Sequence, residues 1–273
     1  MGRSRWQPPH HRRPVSGGRG EGGSVRLFGP ARPRRDPRVR SLRVEVAVFA
    51  IAFTVFGLVA LALVWSGDWA YASLGSVSGG TTPTILVPRV QDGVRVESPA
   101  NLQLWLSWHH AWATYVTGMT NDPPIAFGTG PIFTPDEYAH MADVRAVFRG
   151  AEVAAVLALF VGSYRVARAR RRGDALRLVR AGAIVAAGIV AVIGVIAVFA
   201  FDPLFLLFHE VFFPQGNFLF DPATSNLLRL YPEWYWQGIT AGVAVSFIAV
   251  ALGAAAVSHI ALRRGSNTYT RAA

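Results

Sequence analysis

Four apolar runs organise the chain: Val44–Trp65, about Ala151–Val166, Ala181–Phe201 and about Gln237–Leu262. A hydrocarbon core of ~30 Å needs roughly 20 such residues in a helix. The runs lack the two-residue alternation of a barrel strand, and lipid otherwise tolerates only helices. The second run is the shortest, but Val144–Phe148 lies ahead of it and extends the same helix. The pattern predicts an all-α integral membrane protein with four transmembrane helices.

The segments between the runs carry turn and cap signals. Gly75–Gly93 reads as Gly/Thr/Pro-punctuated loop with a short strand at Ile85–Val87. Ser98–Pro99 reads as an N-cap and first helical residue, opening a helix to about Met119. Its Leu102, Trp105, Leu106, His109 and Trp112 recur at helical spacing, which predicts an amphipathic helix lying in the outer interface. Thr134–Glu137 is a capping box, with Thr as cap, Pro next and Glu reaching back. The helix it starts runs past Gly150 into the second span. Asp202–Pro203 predicts a short Phe-rich helix stopped at Pro214, and Asp221–Pro222 another to about Leu230. Tyr231–Pro232 leads into Trp234, Tyr235 and Trp236, an aromatic belt ahead of the last span.

Charge orients the helices. Residues 1–43 carry 12 Arg against Glu21 and Asp36, residues 165–180 carry 7 Arg against Asp174, and the end of the chain carries Arg263, Arg264 and Arg271. The outer regions, 66–150 and 202–236, hold 5 Arg and 11 acids. The positive-inside rule then places both termini and the 167–180 loop in the cytoplasm, with short interfacial helices on the outer face. The net charge of +11 is thus a topology signal, and no nucleic-acid partner is called for. Residues 1–43 are rich in Arg, Pro and Gly and too poor in apolar residues to fold alone, so a disordered cytoplasmic tail is expected. Residues 44–262 form the membrane domain and 263–273 a second cytoplasmic tail. Ala70–Ala72 mimics a cleavage site, but the preceding run is too long for a signal peptide and reads as an uncleaved anchor.

The chain has no Cys and no Lys, which removes thiol nucleophiles, Cys–metal sites and Schiff bases. Histidine is left as the carrier of protons near neutral pH. His140 stands three residues before Asp143 and four after Asp136, so the three share a helix face just above the membrane. A carboxylate one turn away orients an imidazole and raises its basicity; the bland alternative is a solvated His, with Asp143 paired to Arg145 or Arg149. His209 lies among Leu206, Leu207, Phe208, Phe212 and Phe213, and polar groups at membrane depth tend to be functional. His109 and His110 sit between Trp108 and Trp112 and read as ordinary interfacial residues, and His259 as a snorkelling one. His10 and His11 lie in the tail. Asn217, Asn226, Tyr231 and Tyr235 are candidate donors to substrate or to a developing oxyanion, with loop capping as the alternative. No cofactor and no metal is called for.

Two long segments carry a family resemblance. "FTPDEYAHMADVRAVF" ahead of one span, and "DPLFLLFHEVFFPQGNFLFDPATSNLLRLYPEWYW" ahead of the last, resemble the lipoprotein intramolecular transacylase (Lit) family. The likeness covers roughly Val44–Leu262 and is strongest from Phe133 to Trp236. It implies an enzyme of the bacterial plasma membrane, with its active site on the outer face and membrane-anchored lipoproteins and phospholipid as partners. It further implies transfer of the sn-2 acyl chain of a diacylglyceryl-cysteine to the cysteine α-amino group, giving a lyso-form lipoprotein. The family's two essential histidines map onto His140 and His209; the chemistry then suggests His209 as base, with His140, oriented by Asp143, polarising the ester or protonating the leaving oxygen, or the two roles exchanged. The chain departs from the family at Ser225–Asn226, where an acidic residue is expected. The competing expectations are a non-catalytic lipid-binding membrane protein, and a metal-dependent hydrolase using His140, Asp143, His209 and Glu210.

Overall fold

The computed structural model describes residues 37–78, 80–89, 92–124 and 131–271. The tail of residues 1–36, expected to be disordered, lies outside them. Among the described residues, eight helices and one two-stranded ribbon follow in order: α1 (Pro37–Trp65), α2 (Asp68–Val77), β1 (Thr84–Pro88), β2 (Arg95–Pro99), α3 (Leu102–Val116), α4 (Pro135–Arg171), α5 (Ala175–Phe199), α6 (Phe201–Phe212), α7 (Asn226–Leu230) and α8 (Glu233–Arg271). Residues 37–43 and 263–271, assigned to tails above, are therefore helical continuations of α1 and α8.

Among the described residues, three helices are long and apolar enough to cross a membrane: Leu42–Trp65, Ala175–Phe199 and Glu233–Gly265. The second predicted span lies within α4, one unbroken helix of 37 residues. Its side chains Val153, Val156, Leu157, Phe160 and Val161 are exposed, although apolar. Helices α1, α4, α5 and α8 pack on one another in a bundle. Alanines on α5 and α8 line one seam, where Ala186 and Ala251 are fully buried beside Phe247. A Cβ at Gly182 would collide with the Phe49 ring, so the α1–α5 approach at that point depends on glycine.

A second, aromatic core lies at the opposite end from the Arg-rich loop. Trp105, Trp108, Trp112 and Tyr115 of α3 pack there with Tyr71, Phe133, Met141, Leu230 and Tyr235. The apolar face of α3 thus meets protein, where the spacing had predicted an interfacial helix: aromatic side chains from α2, α4 and α8 and leucines from α7 cover it.

Three start signals resolve differently from expectation. Ser98 and Pro99 end β2, opposite Ile85 and Thr84. Asn101 caps α3 instead, its Oδ1 accepting from Leu104 N at 2.9 Å, because the ribbon holds Ser98 and Pro99 extended. Asp202 makes no cap hydrogen bond; α5 gives way to α6 through the single residue Ala200. Asp221 closes a turn, accepting from Ala223 N at 2.9 Å. Ser225 caps the short α7, its side chain accepting from Leu228 N at 3.1 Å. The all-helical expectation is likewise amended by the ribbon: the strand expected at Ile85–Val87 is real, and it has a partner.

Candidate active site

The start of α4 is built as its sequence requires. Thr134 N donates to Glu137 Oε2 at 2.7 Å, and Glu137 N donates to Thr134 Oγ1 at 3.2 Å. These two bonds fix the entry of the helix and set the rotation at which His140, two turns in from the cap, faces the protein. His140 is buried at 6 % exposure.

His209 reaches the same place from α6. That helix turns Leu206, Leu207, Phe208, Val211 and Phe212 outward, all of them exposed. His209 lies on the inner side, among Phe205, Phe213 and Phe218 at ring-centroid distances of 4.2, 5.4 and 5.1 Å. The His140 and His209 rings stand 6.1 Å apart and 16° from parallel. A ring nitrogen lies just over an ångström from its centroid, so no nitrogen of one ring reaches one of the other at hydrogen-bond distance. A small reacting group is needed to connect them. Phe213 packs on both rings, 4.7 Å from His140, and Phe220 meets His140 at 5.5 Å.

This apolar wall sets the protonation states. Burial pushes the His140 pKa down to about 4; the neighbouring His209 adds to the fall, while Asn217 and Asp143 oppose it. Burial also lowers His209, against a carbonyl hydrogen bond that raises it. Both rings are therefore neutral at pH 7, and each can accept a proton. In His209, Nδ1 lies 2.8 Å from Phe205 O. A carbonyl only accepts, so Nδ1 carries the hydrogen and Nε2 the lone pair.

Asp143 does not pair with Arg145 or Arg149. Arg145 donates to Asn121 and lies over the Tyr115 ring at 4.6 Å, while Arg149 faces Glu152 at 3.6 Å. The Asp143 carboxylate instead accepts from Gln215 Nε2 at 2.7 Å and Asn217 Nδ2 at 2.6 Å, both on Oδ2. The loop that brings these amides together turns at Gly216, whose φ of +78° is open to glycine at little cost. Gln215 escaped the sequence reading; the signal was there in "PQGN", a turn with an amide on either side of its glycine.

The remaining candidates lie elsewhere. Asn226 is fully buried, accepting from Leu86 N at 2.9 Å and donating to Leu86 O at 2.8 Å and Ile132 O at 2.7 Å. Both of its N–H groups are thus committed to backbone, and it stitches α7 to β1. Tyr231 and Tyr235 belong to a neighbouring cluster with Tyr71 and His109, where Tyr71 and His109 stack at 4.6 Å. His109, read as an ordinary interfacial residue, is only 1 % exposed. Burial pushes its pKa down to about 4, with Asp68 pulling the other way. It shares the buried face of α3 with Trp105 and Trp112, a placement visible in the four-residue spacing. His110, on the outer side, pairs with Asp68 at 2.8 Å, and His259 meets Arg180 at 3.2 Å. Among the described residues, no three His, Cys, Asp or Glu side chains converge to hold a metal ion, and Glu210 is exposed.

Apolar helices of membrane-crossing length and two facing imidazoles at one end of them define a multi-pass membrane protein with a histidine-paired site. The model of the lipoprotein intramolecular transacylase Lit family matches residues 111–236, the stretch that contains both histidines. Three solved chains match as well, all of the membrane-integral lipoprotein intramolecular transacylase Lit from Bacillus cereus. One shares 15 % identity at a TM-score of 0.57, covering 86 % of this chain and 100 % of that one. A histidine-to-arginine variant shares 13 % identity at 0.58, covering 85 % and 96 %. A histidine-to-alanine variant shares 14 % identity at 0.57, covering 84 % and 97 %. No curated protein matches the chain. Residues 111–236 thus carry the pattern of the Lit family, on a fold shared with the Bacillus cereus structures.

Proposed function

We propose that this protein is a membrane acyltransferase that moves the sn-2 acyl chain of a diacylglyceryl-cysteine lipoprotein onto the cysteine α-amino group. The product is an N-acyl, lyso-glyceryl lipoprotein. The family match supports the reaction type, and one observation carries the reading: His140 and His209 face each other as neutral bases in an apolar wall.

The reaction needs two proton acceptors. An α-amine has a pKa of about 8 and arrives as an ammonium ion. It loses one proton before it attacks and a second as the amide forms. His209 Nε2 takes the first. The freed amine attacks the ester carbonyl carbon, the N–C bond forms, and the carbonyl electron pair moves onto oxygen. His140 takes the second proton. The intermediate then collapses, the bond from carbon to the glycerol oxygen breaks, and the His140 imidazolium returns its proton to that oxygen. His209 gives its proton to solvent. General base and acid steps of this kind contribute ~10²–10⁴-fold each. Amine and ester belong to one molecule, so holding them together supplies much of the remainder. No covalent enzyme intermediate is formed.

The setting follows from the same reading. The α4 segment with exposed Val153, Leu157 and Phe160 serves as the fourth span. Both termini and the Arg-rich junction of α4 and α5 lie in the cytoplasm, where their Arg excess belongs. The site then opens on the outer face of the bacterial plasma membrane. Helix α6 lies in the outer interface with Leu206, Leu207, Phe208 and Val211 toward the acyl chains.

The test is mass spectrometry of a reporter lipoprotein's N-terminal lipopeptide, in a host lacking other N-acylation. The parent protein is expected to give the N-acyl, lyso-glyceryl form, and His140→Ala and His209→Ala to leave the diacylglyceryl form. An unchanged diacylglyceryl peptide with the parent protein present in the membrane would refute the assignment.

A further inference from the structure

We infer that Asn217 is a positioning residue, its N–H held by Asp143 and its carbonyl oxygen accepting from Nδ1–H of His140. The link from carboxylate to imidazole thus runs through an amide. The inference rests on the reading of His140 as a proton carrier, and it departs from the simpler expectation that Asp143 orients His140 directly.

Three observations lead to it. Asp143 Oδ2 already accepts from both Gln215 Nε2 and Asn217 Nδ2, at 2.7 and 2.6 Å. A carboxylate only accepts, so it fixes which end of the Asn217 amide faces it, and the amide oxygen must point the other way. That oxygen, Asn217 Oδ1, is buried without a hydrogen bond, and so is His140 Nδ1. Two complementary buried polar atoms of this kind are costly to leave unpaired, and each is the partner that the other lacks. Independently, Asn217 bears on His140 in the sense that favours the imidazolium, as does Asp143 more weakly. An amide oxygen cannot donate, so His140 must carry its hydrogen on Nδ1 and leave Nε2 free. His209 holds the same tautomer through Phe205 O. Both Nε2 atoms are then acceptors, as a reaction that sheds two protons requires. Asp143 contributes at one remove, polarising the amide that cradles the imidazolium.

The experiment uses the full chain in detergent micelles with ¹⁵N-labelled histidine, His140 being assigned by difference from His140→Gln. The titratable groups that bear on His140 are His209 and Asp143. The parent is expected to show His140 as the Nδ1–H tautomer. Asn217→Leu, similar in volume but without donor or acceptor, is expected to give mixed tautomers. With a synthetic diacylglyceryl-cysteine peptide it should lose roughly a hundredfold in kcat with little change in KM, and the acid limb of its pH profile should move down. The exchanged pair, Asp143→Asn with Asn217→Asp, keeps a donor on an acceptor and an acceptor on His140. It is expected to restore the Nδ1–H tautomer and move the acid limb up, because a carboxylate now touches the ring. An Nε2–H tautomer in the parent, or an Asn217→Leu variant with tautomer and acid limb unmoved, would overturn the proposal. If the parent makes no N-acyl product, the transacylase reading fails, while the tautomer measurement still decides the role of Asn217.

Discussion

Ser225 donates to Glu137 Oε1 at 2.6 Å, joining the N-cap of α7 to the first turn of α4 across 88 residues of chain. Glu137 is fully buried and accepts in addition from Leu227 N at 2.7 Å and Thr134 N at 2.7 Å. One carboxylate therefore caps two helices, and α4 so fixed carries His140. Glu137→Ala strands three donors in the interior and is expected to cost about 3 kcal/mol or more, against about 1 kcal/mol for Ser225→Ala. Thermal denaturation in micelles, followed by retention of the folded species on a sizing column, checks the order. Equal midpoints for the two variants would contradict it.

Gly216 adopts a φ of +78°, and its neighbours Gln215 and Asn217 reach one oxygen of Asp143 only because the chain turns there. Gly216→Ala is expected to cost about 1 kcal/mol of stability but roughly tenfold or more in turnover, as the loop pays the strain by releasing its amides. Gly216→Asn, which tolerates the left-handed region better, should recover part of both. Lipopeptide conversion and thermal midpoint, measured on the same preparations, separate the two effects.

Buried neutral histidines tie stability to pH. His109 and His140 have folded pKa values of about 4, below the ordinary 6.5, and His209 is lowered too. The folded state binds protons less readily than the unfolded chain, so their contribution is complete above pH 6.5. It shrinks as pH falls from 6.5 toward 4, by up to about 1.4 kcal/mol per group for each pH unit. Thermal midpoints should fall steeply over that window. In a His109→Gln variant the slope should be smaller, because one of the titrating groups is gone. An identical slope would exclude a buried neutral His109.

How much of this was readable beforehand depends on how local each signal is. The Thr134–Glu137 box acts within four residues, and it forms as expected. The apolar runs needed only length and composition, which is why the bundle was visible. Ser98–Pro99 failed because the same pair can end a strand or start a helix, and pairing with Ile85 and Thr84 decided it. His140 and His209 were singled out as residue types at a membrane boundary, but their meeting depends on where α6 lies relative to α4, which no local pattern states. Asp143 shows the limit most clearly. Spacing on α4 offered it His140, Arg145 or Arg149, and the structure gave it two amides from a loop more than 70 residues away.

The proposed orientation is open to a direct chemical test, because the chain contains no cysteine. Single cysteines can therefore be introduced into an otherwise unreactive background. Ser78, at the end of α2, and Gly173, between α4 and α5, are both exposed, and on a four-span reading they lie on opposite sides of the membrane. In intact cells, Ser78→Cys is expected to react with a membrane-impermeant maleimide and Gly173→Cys only after lysis. Gly173 has a φ of +77°, so that variant carries a cost of about 1 kcal/mol; Asp174→Cys, one residue on, is a second reporter of the same side. Labelling of Ser78→Cys and Gly173→Cys alike in intact cells would mean that α4 does not cross. Reaction of Gly173→Cys alone would invert the protein and put the histidine pair in the cytoplasm. The proposed function has its lipoprotein substrate at the outer face, so inversion would remove that substrate from reach.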